Sequence, residues 1–208
     1  METTLDALEE WYGERGLRVS VHVSFGDARA DALDELLAER GYEIEAPVVV
    51  KVGATTDVLA RCMAEPHQGV SAEVRVGIDE DWTDVGDEVH RRDEEGTART
   101  TAFAQILRPL GVGALVAVGR VDGEPAGIAF GVVERGLLGI VGLHTIEAER
   151  RSGVATAILR ALVASAVERD VARAYVQVET ANSAGRSLFV GAGFTRSHRY
   201  HYRVSASP

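Results

Sequence analysis

Arg150, Gly153 and Ala155 are the residues whose types and spacing bear most directly on chemistry. They open a stretch in which Ala155, Ile158, Leu159, Leu162, Val163, Ala166 and Val167 recur at i, i+3, i+4, i+7, i+8, i+11 and i+12. That period predicts a helix with one buried stripe. The first N–H groups of a helix have no partner inside it and lie at the positive end of its dipole. A residue without a side chain, followed closely by a methyl, leaves that backbone open, and a phosphate fits there. Neither G-x-G-x-x-G nor G-x-x-x-x-G-K-[ST] occurs at this place, so the two commonest phosphate loops are excluded. An ordinary strand–turn–helix joint, with a turn glycine and two solvated arginines, accounts for the same residues without a ligand.

The elements that must position this loop are legible on either side of it. An apolar run over 137–146 reads as a buried strand,. Before it, 114–121 and 126–133 read as strands joined by Asp122-Gly123-Glu124-Pro125, a strong hairpin signal,. With the turn at Glu134-Arg135-Gly136, the three strands form an antiparallel meander that feeds the loop. Further upstream, 70–78 alternates as a strand, and helices are expected over 79–92 and over 97–107, the second closed by Pro109,. Residues 64–69, with Pro66 and Gly69, read as a linker,.

Composition narrows the class of protein. The 208 residues carry a formal charge of −10, which argues against a nucleic-acid partner, because phosphate contacts need a basic face. The acidic exterior mildly favours a cationic amine substrate. Cys62 is the single cysteine, so no internal disulfide forms and no oxidising compartment is needed. No apolar run approaches the ~20 residues of a membrane span, and the first ten residues are acidic rather than leader-like,. The expectation is a cytoplasmic protein without a membrane partner.

Residues 1–64 form a segment of their own. Leu17, Val19, Val21, Val23 and Phe25 alternate as a strand; 27–40 is helical with Ala32, Leu33, Leu36 and Leu37 on one side; Gly41 stops it; Val48, Val50 and Val52 alternate again,. The same order recurs near the other end: a strand over 174–179, a helix over 183–191, Gly193-Phe194, then Tyr200, Tyr202 and Val204. An offset of 152 residues superimposes Gly41-Tyr42 on Gly193-Phe194 together with the later strands, which reads as an internal repeat. Trp11 and Trp82, each beside acidic residues on expected helices, are packing anchors,.

R-x-x-G-x-A after an apolar strand, then from Asn182 the run NSAGRSLFVGAGF with AYVQVE between, resembles the two signature segments of the GNAT (Gcn5-related) N-acetyltransferase superfamily. The resemblance implies an α/β (α+β) GNAT fold, a mixed, mostly antiparallel sheet flanked by helices. Residues 70–208 are then the catalytic domain, and 1–64 a partial, degenerate GNAT-like copy, as in tandem forms. The implied activity is transfer of an acetyl group from acetyl-CoA to a primary amine by direct attack. By motif position, backbone N–H groups of Arg151, Ser152, Gly153, Val154, Ala155 and Thr156 hold the pyrophosphate and Arg150 adds charge beside it. Leu143, His144 and Thr145 pair with the pantetheine arm and offer an N–H to the thioester oxygen. Asn182 contacts the pantetheine arm as well as serving as a helix N-cap.

The sequence departs from the family at Phe189, which stands where a proton-donating tyrosine is usual and would border the cofactor. Tyr200 or Tyr202 from the last strand, or solvent, must protonate the thiolate, with Tyr202 the candidate catalytic residue. The family position of a strand carboxylate is Gln177; Glu179, two residues on and on the same face, is the first candidate base and His144 the second,. A strand histidine with a satisfied hydrogen bond is an equally good account of His144. His198 and His201 lack the spacing partners of a zinc site, so no metal is assigned. The alternative function is a non-catalytic acyl-CoA-binding regulatory protein, motivated by Phe189 and by the lack of a clear base. The acceptor, a small-molecule or a peptide amine, is left open, and a homodimer sharing the pocket is allowed.

Overall fold

The computed structural model of the protein describes residues 2–63, 67–76, 105, 106, 109 and 113–206. The helices expected over 79–92 and 97–107, with Trp82, lie outside the described residues apart from 105 and 106, as does part of the expected linker. The N-terminal elements are α1 (Glu2–Gly13), β1 (Ser20–Phe25), α2 (Ala28–Glu39), β2 (Glu43–Ala54) and α3 (Thr55–Met63). Four strands come next: β3 (Val70–Val76), β4 (Ala114–Val121), β5 (Glu124–Glu134) and β6 (Leu137–Thr145). A 3₁₀ turn (Glu147–Glu149) leads to α4 (Val154–Val167), β7 (Arg173–Glu179), α5 (Ser183–Gly191) and β8 (Thr195–Val204).

The fold is α/β, with eight strands in the order β1-β8-β2-β7-β6-β5-β4-β3. Pairing is antiparallel for β1/β8, β3/β4, β4/β5 and β5/β6, and parallel for β6/β7. The expected mixed, mostly antiparallel sheet flanked by helices is therefore present. The chain divides into two compact units, Met1–Lys51 with Gln177–Arg186 and Arg196–Pro208, and Val52–Val176 with Ser187–Thr195.

The first unit has its own core, in which Leu5, Val19, Val23, Leu37 and Tyr42 are buried. Asp27 caps α2 by accepting from the N–H groups of Arg29 and Ala30,. The helix ends where Gly41 takes φ +79°, and the Tyr42 N–H reaches back to the Leu37 carbonyl,. On β8, Arg203 donates to both oxygens of Asp34 at 2.7 and 3.1 Å, and the His201 Nε2 lies 2.7 Å from one of them.

In the second unit α4 lies against β4 and β5 at glycines. A Cβ on Gly119 or Gly127 would come within 2.8 Å of Val154 Cγ1. Ile158, Leu159, Leu162, Val163 and Ala166 are buried as the sequence period predicts. Ala155 and Val167 are half-buried, and Val154 and Ala157 take their places in the core. Val116, Val118, Ile128 and Phe130 form a second cluster on the alternate residues of the same strands,. α3, which no sequence signal identified, packs against α4.

Candidate functional site

The loop expected to hold a phosphate lies within the second unit. β6 carries an irregularity opposite Ile128–Phe130, where the register with β5 shifts, and Gly142 takes φ +63° there. Such a bulge bends a strand and re-aims the residues beyond it. Those residues are Leu143, His144 and Thr145, all half-buried. Gly127 pairs with Thr145 and Ile128 with His144. The parallel ladder between β6 and β7 in this unit covers Leu137–Ile140 and Arg173–Val176, so these three residues lie beyond it.

The chain then folds tightly. The Arg150 N–H bonds the Glu147 carbonyl at 3.3 Å, and both the N–H and the hydroxyl of Ser152 bond the Glu149 carbonyl, at 3.4 and 2.6 Å. Arg151 and Gly153 both take left-handed backbone, φ +71° and +97°, a conformation that favours glycine. The expected run of donors from Arg151 to Thr156 is thus interrupted at Ser152, whose N–H is used inside the turn. α4 begins after Gly153 with no side chain bonded to its first N–H groups. Those of Val154, Ala155 and Thr156 are the donors that a helix start leaves without a partner. α2 and α5 differ in carrying side-chain caps, from Asp27 and Asn182. Arg150 and Arg151 are exposed. Phe189 is buried and packs edge-on against Phe194, centroids 5.8 Å apart, so its ring is part of the core.

A small pocket flanks α4 in the same unit. Val70, Ala157 and Cys62 give it apolar lining, His67, Thr156 and Arg160 polar lining, and Gly153 borders it too. The His67 ring lies so close to Gly153 that a Cβ there would run into it. Burial raises the Cys62 thiol to about 11, against the opposing charge of Arg160.

The remaining sequence-derived residues belong to the first unit. Glu179 is exposed at the end of β7. Asn182 Oδ1 accepts from the Gly185 N–H at 2.8 Å, capping α5. Tyr200 donates its hydroxyl proton to Gln177 Oε1 at 2.5 Å. Burial, then Tyr202 and the Glu179 charge, push its pKa above the usual tyrosine value, which makes Tyr200 a weaker acid. Tyr202 is half-buried. His22, on β1, packs at a tilt against Tyr200 with centroids 4.3 Å apart and meets Tyr202 edge-on at 5.3 Å. Sequence reasoning missed His22, because only the pairing of β1 with β8 brings it opposite Tyr202. It also missed His67 and Arg160, which carry no motif. Among the described residues no three His, Cys, Asp or Glu side chains come together as a metal site, and no helix is long and apolar enough to cross a membrane.

Residues 1–203 match the family model described as Probable histone acetyltransferase Rv0428c C-terminal. The structure is similar to that of a GCN5-related N-acetyltransferase from Sphaerobacter thermophilus, with TM-score 0.69, 21% identity, and coverage of 97% of this chain and 66% of that one. For a GCN5-related N-acetyltransferase from Kribbella flavida the values are 0.70, 17%, 98% and 74%. For a tandem GNAT protein from the clavulanic acid biosynthesis pathway they are 0.73, 14%, 98% and 69%. At such identities these likenesses show the fold, which is that of the GNAT proteins. No curated protein matches the chain in sequence.

Proposed function

We propose, from the premise that this chain belongs to the family described as Probable histone acetyltransferase Rv0428c C-terminal, that it transfers the acetyl group of acetyl-CoA to a primary amine. The observation that carries the reading is the start of α4. Its N–H groups have no capping side chain, Gly153 and Ala155 carry little or no side chain beside them, and Gly153 takes left-handed backbone, a start that suits an anion. A pyrophosphate satisfies those donors.

Acetyl-CoA supplies the activated acyl group. The residues of this chain hold and orient it. Val154, Ala155 and Thr156 bind the pyrophosphate through backbone N–H groups, with Arg150 and Arg151 adding charge. Leu143, His144 and Thr145, beyond the β6/β7 ladder, pair with the pantetheine arm and turn one N–H toward the carbonyl oxygen as negative charge develops there. Asn182 keeps its amide nitrogen for the same arm while its oxygen caps α5. The acceptor must lose a proton before attack; Glu179 takes it, with His144 as the second candidate. Tyr202 returns a proton to the departing thiolate. A lysine side chain, as the family description suggests, and small amines are the acceptors to test.

Residues 1–64 are read as a degenerate GNAT-like copy. The support is the matching ends of α2 and α5. The Gly41 and Gly193 N–H groups bond the carbonyls of Ala38 and Val190, and those of Tyr42 and Phe194 bond Leu37 and Phe189. The division at residue 70 is one of function, with the acetyl-transfer machinery drawn from 70–208.

The test is calorimetric titration of the full chain with acetyl-CoA, beside Ala155→Asp. A carboxylate in the first turn of α4 favours the helix dipole yet competes for the phosphate donors. Affinity should fall at least about tenfold with no drop in Tm; an unchanged affinity overturns the assignment. A second reading, acyl-CoA binding without turnover, is favoured by the buried Phe189 and the tightly held Tyr200 proton. Binding with no acetylation of any amine, lysine peptides included, would decide for it.

A further inference from the structure

The pocket beside α4 has a chemical character of its own. Gly153, Thr156 and Arg160 lie at i, i+3 and i+7, one stripe of the helix, and all three line it,. Among the described residues no carboxylate does. In a chain with formal charge −10, arginines such as Arg18, Arg40, Arg120 and Arg203 are held by acidic partners. Arg160 instead lines a cavity together with a thiol, a hydroxyl and an imidazole. Its guanidinium, charged at any ordinary pH, is the cation of this lining. Such a group, with a hydroxyl and a ring N–H beside it, suits the oxygens of a phosphate.

Gly153, which caps the helix at the start of the N–H run assigned to the pyrophosphate, is part of the same lining. We infer that this pocket takes a phosphomonoester, the 3′-phosphate on the ribose of CoA, with Arg160 as its principal contact and His67 and Thr156 beside it. The inference rests on the acetyl-CoA reading and extends it. The pyrophosphate marks where the cofactor crosses the end of α4, and the ribose phosphate comes next in the same molecule. The Cys62 thiol and the aliphatic side chains of Val70 and Ala157 complete the lining.

The experiment compares CoA with 3′-dephospho-CoA on the full-length protein, as wild type, Arg160→Gln and His67→Ala. Wild type should bind CoA about tenfold more tightly than dephospho-CoA. Arg160→Gln should bring the two affinities within about twofold of each other while leaving that for dephospho-CoA unchanged, and His67→Ala should narrow the gap partway. Equal affinities in wild type overturn the inference and leave the acetyl-CoA reading intact. Binding of neither ligand overturns both. Inorganic phosphate that raises the Tm in an Arg160-dependent way, with no preference for CoA, would assign the pocket to free phosphate and overturn the inference as stated.

Discussion

Asp34 shows how a single side chain ties distant sequence together. It accepts from Arg203 and stands against His201, 169 and 167 residues away. Its carboxyl is held below the usual carboxylate range chiefly by the Arg203 hydrogen bond, then by His201, with burial opposing both. A lowered native pKa adds stability that is complete above the unfolded value, about 4, and is lost as pH falls through the folded one. The urea midpoint should therefore fall more steeply between about pH 5 and pH 3 for wild type than for Asp34→Asn. At neutral pH the same variant should be less stable by about 2 kcal/mol, because Arg203 and His201 lose a partly buried partner. Equal acid limbs in wild type and variant would refute this account of Asp34. Nothing in the spacing of these three residues announces the cluster; Asp34 reads as a solvated helix residue.

At the scale of elements, the placement of α4 depends on side chains that are absent. A Cβ on Gly127 would lie 2.7 Å from the His144 carbonyl oxygen and 2.8 Å from Val154 Cγ1. The oxygen is backbone and cannot step aside. Gly127→Ala should cost about 1–3 kcal/mol in urea unfolding. Because it presses on the strand end that precedes the proposed phosphate loop, it should also weaken acetyl-CoA binding, which titration would report. A stable variant with unaltered affinity would show that α4 can shift without consequence. The two tight turns of the meander were legible in advance: Asp122-Gly123 and Arg135-Gly136 all take positive φ, as two-residue hairpin loops require. The β6 irregularity was not, since a bulge is a mismatch between two strands and neither sequence contains it alone. α3 escaped for a related reason. Its buried Thr55, Val58 and Cys62 span too few turns for a period to stand out.

For the whole molecule, the strand order carries the consequence. β8 lies between β1 and β2, so both of its neighbours come from the N-terminal segment. A fragment of residues 70–208 would expose both edges of β8 and lose the core around Leu5, Val19, Val23, Leu37 and Tyr42,. That fragment should aggregate or give a collapsed amide spectrum, while the full chain gives a dispersed one. A folded 70–208 fragment that binds acetyl-CoA would show that residue 70 is a folding boundary.

The sequence by itself determined the α/β class, the meander, the long helix with its uncapped small-residue start, and the family resemblance carried by Arg150, Gly153, Ala155 and Asn182. These come from local periods, turn residues and caps, which are properties of neighbours along the chain. It also contained the strand–helix–Gly-aromatic–strand repeat, whose two copies end their helices with the same hydrogen bonds. Only the tertiary structure decided that β8 sits between β1 and β2, that His22 packs against Tyr200, that Asp34 holds Arg203, and that His67 and Arg160 share a pocket. Those pairings join residues separated by tens to hundreds of positions, and they are selected by burial and register across the sheet, which no window of sequence contains.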